Sequence, residues 1–130
     1  MPRILSVGQC GFDQFGLSRR LKKGFAAEVA TADSASAAIS ALRSAPFDLV
    51  LVNRIFDADG TEGLDLIREI KADPTLAATP VMLVSNYAEA QNEATSLGAL
   101  PGFGKSEIGT TAFQNRLAFL LESKAAVTSS

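Results

Sequence analysis

The segment at residues 47–53, FDLVLVN, constrains this chain more than any other. Five of its seven residues are apolar and no turn former interrupts it. A strand with one wetted face shows apolar and polar side chains in alternation, so a nearly continuous apolar run of this length reads as a strand buried on both faces. Such a strand needs cover above and below, and helices are the usual cover.

The rest of the chain supplies both strands and helices. Residues 3–7 (RILSV), 27–32 (AEVATA), 80–85 (PVMLVS) and 100–103 (LPGF) are further strand segments, the last weakened by Pro101 and Gly102. From Phe12 to about Lys23, Phe12, Phe15, Gly16, Leu17 and Leu21 recur at helical spacing, with Gly24 as the expected cap. Asp33, Ser34 and Ser36 are candidate caps for a helix carrying Ala37, Ile39, Ala41 and Leu42. Residues 63–72 put Leu64, Ile67 and Ile70 on one face, and residues 88–97 form a small-residue helix stopped by Gly98. The last helix is expected from Glu107 to about Ser123, with Phe113, Leu117, Leu120 and Leu121 on one face. Residues 1–123 thus read as one domain and 124–130 as a frayed tail. Five alternations of strand and helix imply an α/β fold, a doubly wound parallel five-stranded sheet. In open sheets of this kind the ligand crevice lies beyond the carboxyl ends of the strands, which brings together Gly8, Gln9, Asn53, Ser85 and Lys105.

Composition narrows the function. A chain of 130 residues buries roughly two-thirds of its unfolded surface without disulfides or metals. The single cysteine, Cys10, fits a reducing compartment. No stretch approaches the ~20 apolar residues of a membrane span, and Met1-Pro2-Arg3 runs directly into strand-like sequence, so the expected location is cytoplasmic. A net charge of -2 without a basic run argues against nucleic acid as a partner. The absence of histidine removes Ser-His-Asp catalysis, His-bearing zinc sites and phosphohistidine transfer together.

Taken in order, RILSVGQ, FDLVLVN, EGLDLIREIK, PVMLVS and GALPGFGKS resemble the response-regulator receiver domain of bacterial two-component systems, from Arg3 to about Leu121. The resemblance implies a flavodoxin-like (βα)5 sheet of strand order 2-1-3-4-5. It also implies an aspartate ending the third strand that accepts phosphate from a histidine kinase, and two acidic residues after the first strand that hold Mg²⁺. Those positions here are Asn53, Gly8 and Gln9. Ser85 matches the family's Ser/Thr and Lys105 its lysine, whereas Ser106 replaces the proline that commonly follows and Gly102 takes the place of the switch aromatic.

An amide is a far weaker nucleophile than a carboxylate, so Asn53 forms no acyl phosphate. Neutral Gly8, Gln9 and Asn53 offer Mg²⁺ no anionic oxygen, and no metal or other cofactor is expected. The chain accordingly reads as a degenerate pseudo-receiver. It is a non-enzymatic module that binds a regulatory or output protein through the last two helices, near Tyr87, Glu89, Glu93 and Glu122, with a homodimer through that face left open. Two alternatives stand beside it. One is an anion or small-molecule site at Ser85 and Lys105, set against a lysine that pairs with Asp57 or Asp59 or reaches solvent. The other is phosphorylation at a displaced Asp57 or Asp59, since the interval from Asn53 to Gly63 exceeds the family's spacing; a polar turn is the simpler account of those residues. Arg54 is expected to be a solvated or structural residue and Cys10 a small residue of no special role. Aspartates at Gly8 and Gln9 together with Asn53→Asp are the expected minimum for rescue.

Overall fold

The apolar run becomes β3 (Leu49–Asn53), with all five residues buried. It pairs in parallel with β1 (Arg3–Val7) on one side and β4 (Val81–Val84) on the other. In this computed structural model the described residues are 2–9, 11–56, 59–108 and 110–129, with side chains described for all of these except 12, 13 and 122–129. Cys10 and Asp57, and the side chain of Glu122, therefore lie outside the description. β2 (Glu28–Ala32) borders β1 and β5 (Leu100–Phe103) borders β4, giving the order 2-1-3-4-5 of the flavodoxin-like fold.

Helices α1 (Gly11–Phe25), α2 (Ala35–Ser44), α3 (Gly63–Ala72), α4 (Ala88–Ser96) and α5 (Thr111–Ser129) follow the strands in turn. Alternation along β3 divides the core into two layers. Leu49 and Leu51 pack with Leu17 and Leu21 of α1 and with Phe113, Leu117 and Leu121 of α5. Val50 and Val52 pack on the opposite face with Leu42, Leu66, Ile67, Ile70 and Ala94 from α2, α3 and α4. The Phe103 and Phe113 rings meet edge to face at 4.7 Å, which ties β5 to α5. Among the described residues no helix is long and apolar enough to cross a membrane.

Several details differ from the sequence expectation. Lys105–Glu107 is a separate 3-10 turn; α5 begins at Thr111, where Thr110 Oγ1 accepts from Phe113 N at 3.2 Å. The helix then takes in residues 124–129, expected as a frayed tail. α1 keeps Gly24 inside and ends before Ala26, whose φ of 53° makes it the left-handed residue. Phe15, expected on the buried face, is 71% exposed, because it lies about 200° around the helix from Leu17. Arg19, Arg20, Lys22 and Lys23 are exposed on the same helix, a local basic run that the overall net charge conceals.

α3 stops at Asp73, whose carboxylate accepts from Thr75 N and Oγ1 at 2.9 and 2.7 Å and from Arg43 at 2.7 Å. The Thr75 bonds, with Arg43 beside them, hold this carboxyl below its ordinary 3.8. Its native pKa being depressed, Asp73 stabilises the fold above the ordinary value, and that contribution fades as pH falls through the native one. Asp73→Asn should therefore flatten the acid limb of stability below about pH 4, read as urea midpoint against pH.

Candidate functional site

Asn53 ends β3 and is 7% exposed. Its Nδ2 donates to Gly8 O at 3.1 Å and to Ile55 O at 2.6 Å, joining the loop after β1 to the loop after β3. Both partners are carbonyl oxygens, so a donor must face them. An aspartate here would set an anionic oxygen against two carbonyls.

Gly8 leaves β1 with φ +78°, in the left-handed region that glycine tolerates best. The Phe56 ring occupies the volume that a Cβ on Gly8 would need. Phe56 is 1% exposed and is held by a small hairpin, in which Phe56 N donates to Thr61 O and Gly60 N to Phe56 O, each at 2.8 Å, with an antiparallel bridge between Ile55 and Glu62. The long interval between Asn53 and Gly63 thus builds a hairpin that plants an aromatic ring where the receiver's first acidic side chain would project. The residues present do not fit Mg²⁺. Carbon fills one ligand position, Asn53 turns its nitrogen toward carbonyls, and Gln9 is a neutral amide.

Asn53, Ser85 and Lys105 line one cavity of about 220 Å³, as the crevice argument expects. Gln9 does not join them; it lines a separate cavity of about 240 Å³ with Gln14, Thr31 and Asp33. Among the described residues its Nε2 is buried without a hydrogen-bond partner. Arg54, expected to be solvated or structural, lines the Asn53 cavity, and its guanidinium lies over the Tyr87 ring at 4.9 Å. Alternation fails as a guide there because β3 ends at Asn53.

Ser85 is 7% exposed and its Oγ accepts from Tyr87 N at 3.1 Å. Ser106, in place of proline, donates from its backbone N–H and its Oγ to Asn86 Oδ1 at 3.3 and 3.1 Å. Proline has no N–H to make the first of these bonds. Asp59 is exposed, and Thr61, whose N–H its Oδ1 accepts at 2.9 Å, holds its carboxyl below the ordinary 3.8. It is the terminus of a local turn.

Gly102 sits where β4 and β5 slip register, between Met82 paired to Leu100 and Val84 paired to Phe103. Its N–H donates to Gln91 Oε1 at 3.1 Å and its carbonyl accepts from the Arg116 guanidinium. Gln91 Nε2 donates in turn to Leu83 O at 2.9 Å and Ser85 O at 3.1 Å. A Cβ on Gly102 would collide with Leu83 O and crowd Gln91. The switch position is thus a peptide clamped from α4 and α5. Phe56 and Gln91 went unrecognised in the sequence; the available signals were the long interval after Asn53 and the side-chain-free residue at the switch position.

No protein-family model and no curated protein sequence matches the chain. Solved structures do. The signal receiver domain of a DNA-binding response regulator from Colwellia psychrerythraea 34H is 23% identical over 94% of this chain and 99% of that one, with a TM-score of 0.78. A response regulator from Thermotoga maritima is 22% identical over 94% and 98%, with a TM-score of 0.75. NtrX from Brucella abortus is 22% identical over 98% of this chain but 29% of its own, with a TM-score of 0.76. The fold is that of response-regulator receiver domains.

Asn53→Asp should cost about 1–3 kcal/mol in urea unfolding, because two carbonyls lose their donor. The geometry also corrects the expected rescue. Adding Gly8→Asp and Gln9→Asp should leave the chain unlabelled by acetyl phosphate and Mg²⁺ in intact mass measurements, and less stable still. Phe56→Gly must accompany them before any phosphoryl adduct appears.

Proposed function

We propose that this chain is a receiver-type signalling module that works through protein contacts without being phosphorylated. The observation that carries this reading is the Phe56 ring over Gly8 beside an Asn53 amide committed to two carbonyls. Nucleophile and metal ligands are replaced by a packed and hydrogen-bonded arrangement, so the chain is a binding module and not an enzyme. It acts in the cytoplasm on a regulatory or output protein, through the surface formed by α4, β5 and α5. The clamps on Gly102 support this, since they favour a surface presented in one conformation. A phosphate-driven receiver needs a second conformation to select.

The test is incubation with acetyl phosphate and Mg²⁺, followed by intact mass measurement and hydrogen exchange over α4 and β5. The expected outcome is no adduct and unchanged exchange. An adduct localised to Asp57 or Asp59 would establish the displaced-acceptor reading instead. Gln91→Leu should raise amide exchange in α4 and β5 by roughly tenfold while leaving β1 and β3 protected, since about 1.4 kcal/mol of local stability corresponds to that factor.

A second reading is favoured by one observation. Two cationic residues, Arg54 and Lys105, line the 220 Å³ cavity together with Asn53 and Ser85. Such a cavity suits a small oxyanion. Phosphate or sulfate that raises the melting temperature of the wild type but not of Arg54→Ala would support it.

A further inference from the structure

A larger groove, about 630 Å³, runs between the N-terminal ends of α3 and α4. Glu62, Leu64, Tyr87, Glu89, Glu93 and Arg54 line it. The ion pairs among the described residues join Arg3 to Glu28, Arg43 to Asp73 and Arg68 to Asp65, so none of the three groove carboxylates is engaged in one. Arg54 is stacked on Tyr87, and Tyr87 is 61% exposed. The groove is therefore net negative, with aromatic and aliphatic surface beside its charges.

The complementary surface is on this same chain. Along α1, Phe15, Arg19 and Lys22 recur at helical spacing and form one outward stripe, flanked by Arg20 and Lys23, all of them exposed. The helix carries four cations and a single acid, Asp13. α1 packs on one layer of the core and α3 and α4 on the other, so stripe and groove of one molecule do not meet.

We propose that the groove between α3 and α4 receives the α1 stripe of a second copy, head to tail. The Arg19, Arg20 and Lys22 cations face the Glu62, Glu89 and Glu93 carboxylates, and Phe15 lies against Tyr87 and Leu64. Each docked copy still offers a free stripe at one end and a free groove at the other. The contact is heterologous and does not close, so it yields open chains in place of a two-fold dimer. Charges govern it, and at a Debye length of about 10 Å in 0.1 M salt the local surfaces outweigh the small net charge of the whole chain.

Sedimentation velocity of the full chain tests this. At about 20 mM salt the weight-average sedimentation coefficient should rise without a plateau as the protein reaches about 1 mM, and about 0.5 M salt should return it to the monomer value. Glu89→Lys with Glu93→Lys, and separately Arg19→Glu with Arg20→Glu, should each stay monomeric. An equimolar mixture of the two variants should associate again, because each unaltered surface then finds its partner and the two reversed surfaces also match. That recovery requires both variants to be folded. A wild type monomeric throughout, an association that survives both charge reversals or settles at a closed dimer, or a mixture that stays monomeric would overturn the proposal.

Discussion

Two carbonyl oxygens, of Gly8 and Ile55, converge on the side-chain nitrogen of Asn53, and the arrangement at this end of the sheet follows from that donor. A buried amide nitrogen must be satisfied, and here it is satisfied by two loops that an aspartate would push apart. Drawing Ile55 inward sets the start of the hairpin, and the hairpin sets Phe56 against Gly8. Asn53 and Gly8, at the positions where the resemblance places an aspartate and an acidic residue, are thus parts of one packing arrangement. They are not independent features that single substitutions could reverse.

The far side of the site obeys the same logic. A glycine at the switch position leaves space beside β5, and Gln91 fills it with an amide that both accepts and donates across the slipped register. Arg116 holds the carbonyl of the same residue. Moving α4 away would expose the carbonyls of Leu83 and Ser85 and the Gly102 N–H at once. Losing the Gln91 bonds to all three together disfavours movement of the helix.

How much of this could be read from residues alone depends on what kind of pattern carried it. The continuous apolar run at β3 and the alternating segments around it gave away the sheet, because burial on both faces leaves a direct imprint on side-chain type. The strand order came from family resemblance. The gathering of Asn53, Ser85 and Lys105 followed from topology, which places loop ends without regard to chemistry. Phe56 was illegible because a hairpin and a polar turn share the same Asp and Gly residues, and nothing local says which neighbour an aromatic will cover. Gln91 went unnoticed in the helix of residues 88–97, since its role depends on a register slip between β4 and β5 that no local pattern announces. Phe15 was misplaced because helical spacing was read over residues that do not share a face; of the five, Leu17 and Leu21 are buried, and the Phe12 side chain lies outside the described residues.

The hairpin also links the closed site to the open groove beside it. Glu62 is the residue that bridges back to Ile55, and Arg54 lies between Asn53 and that bridge. The extra residues that drive Phe56 onto Gly8 therefore fix one wall of the groove between α3 and α4. Stacking on Tyr87 keeps the Arg54 cation at the boundary, shared by the Asn53 cavity and the groove. Removing the hairpin would unseal the first and dismantle the second together. On physical grounds, the packing of Phe56 onto Gly8 and the shape of the acidic groove beside it both depend on this one loop.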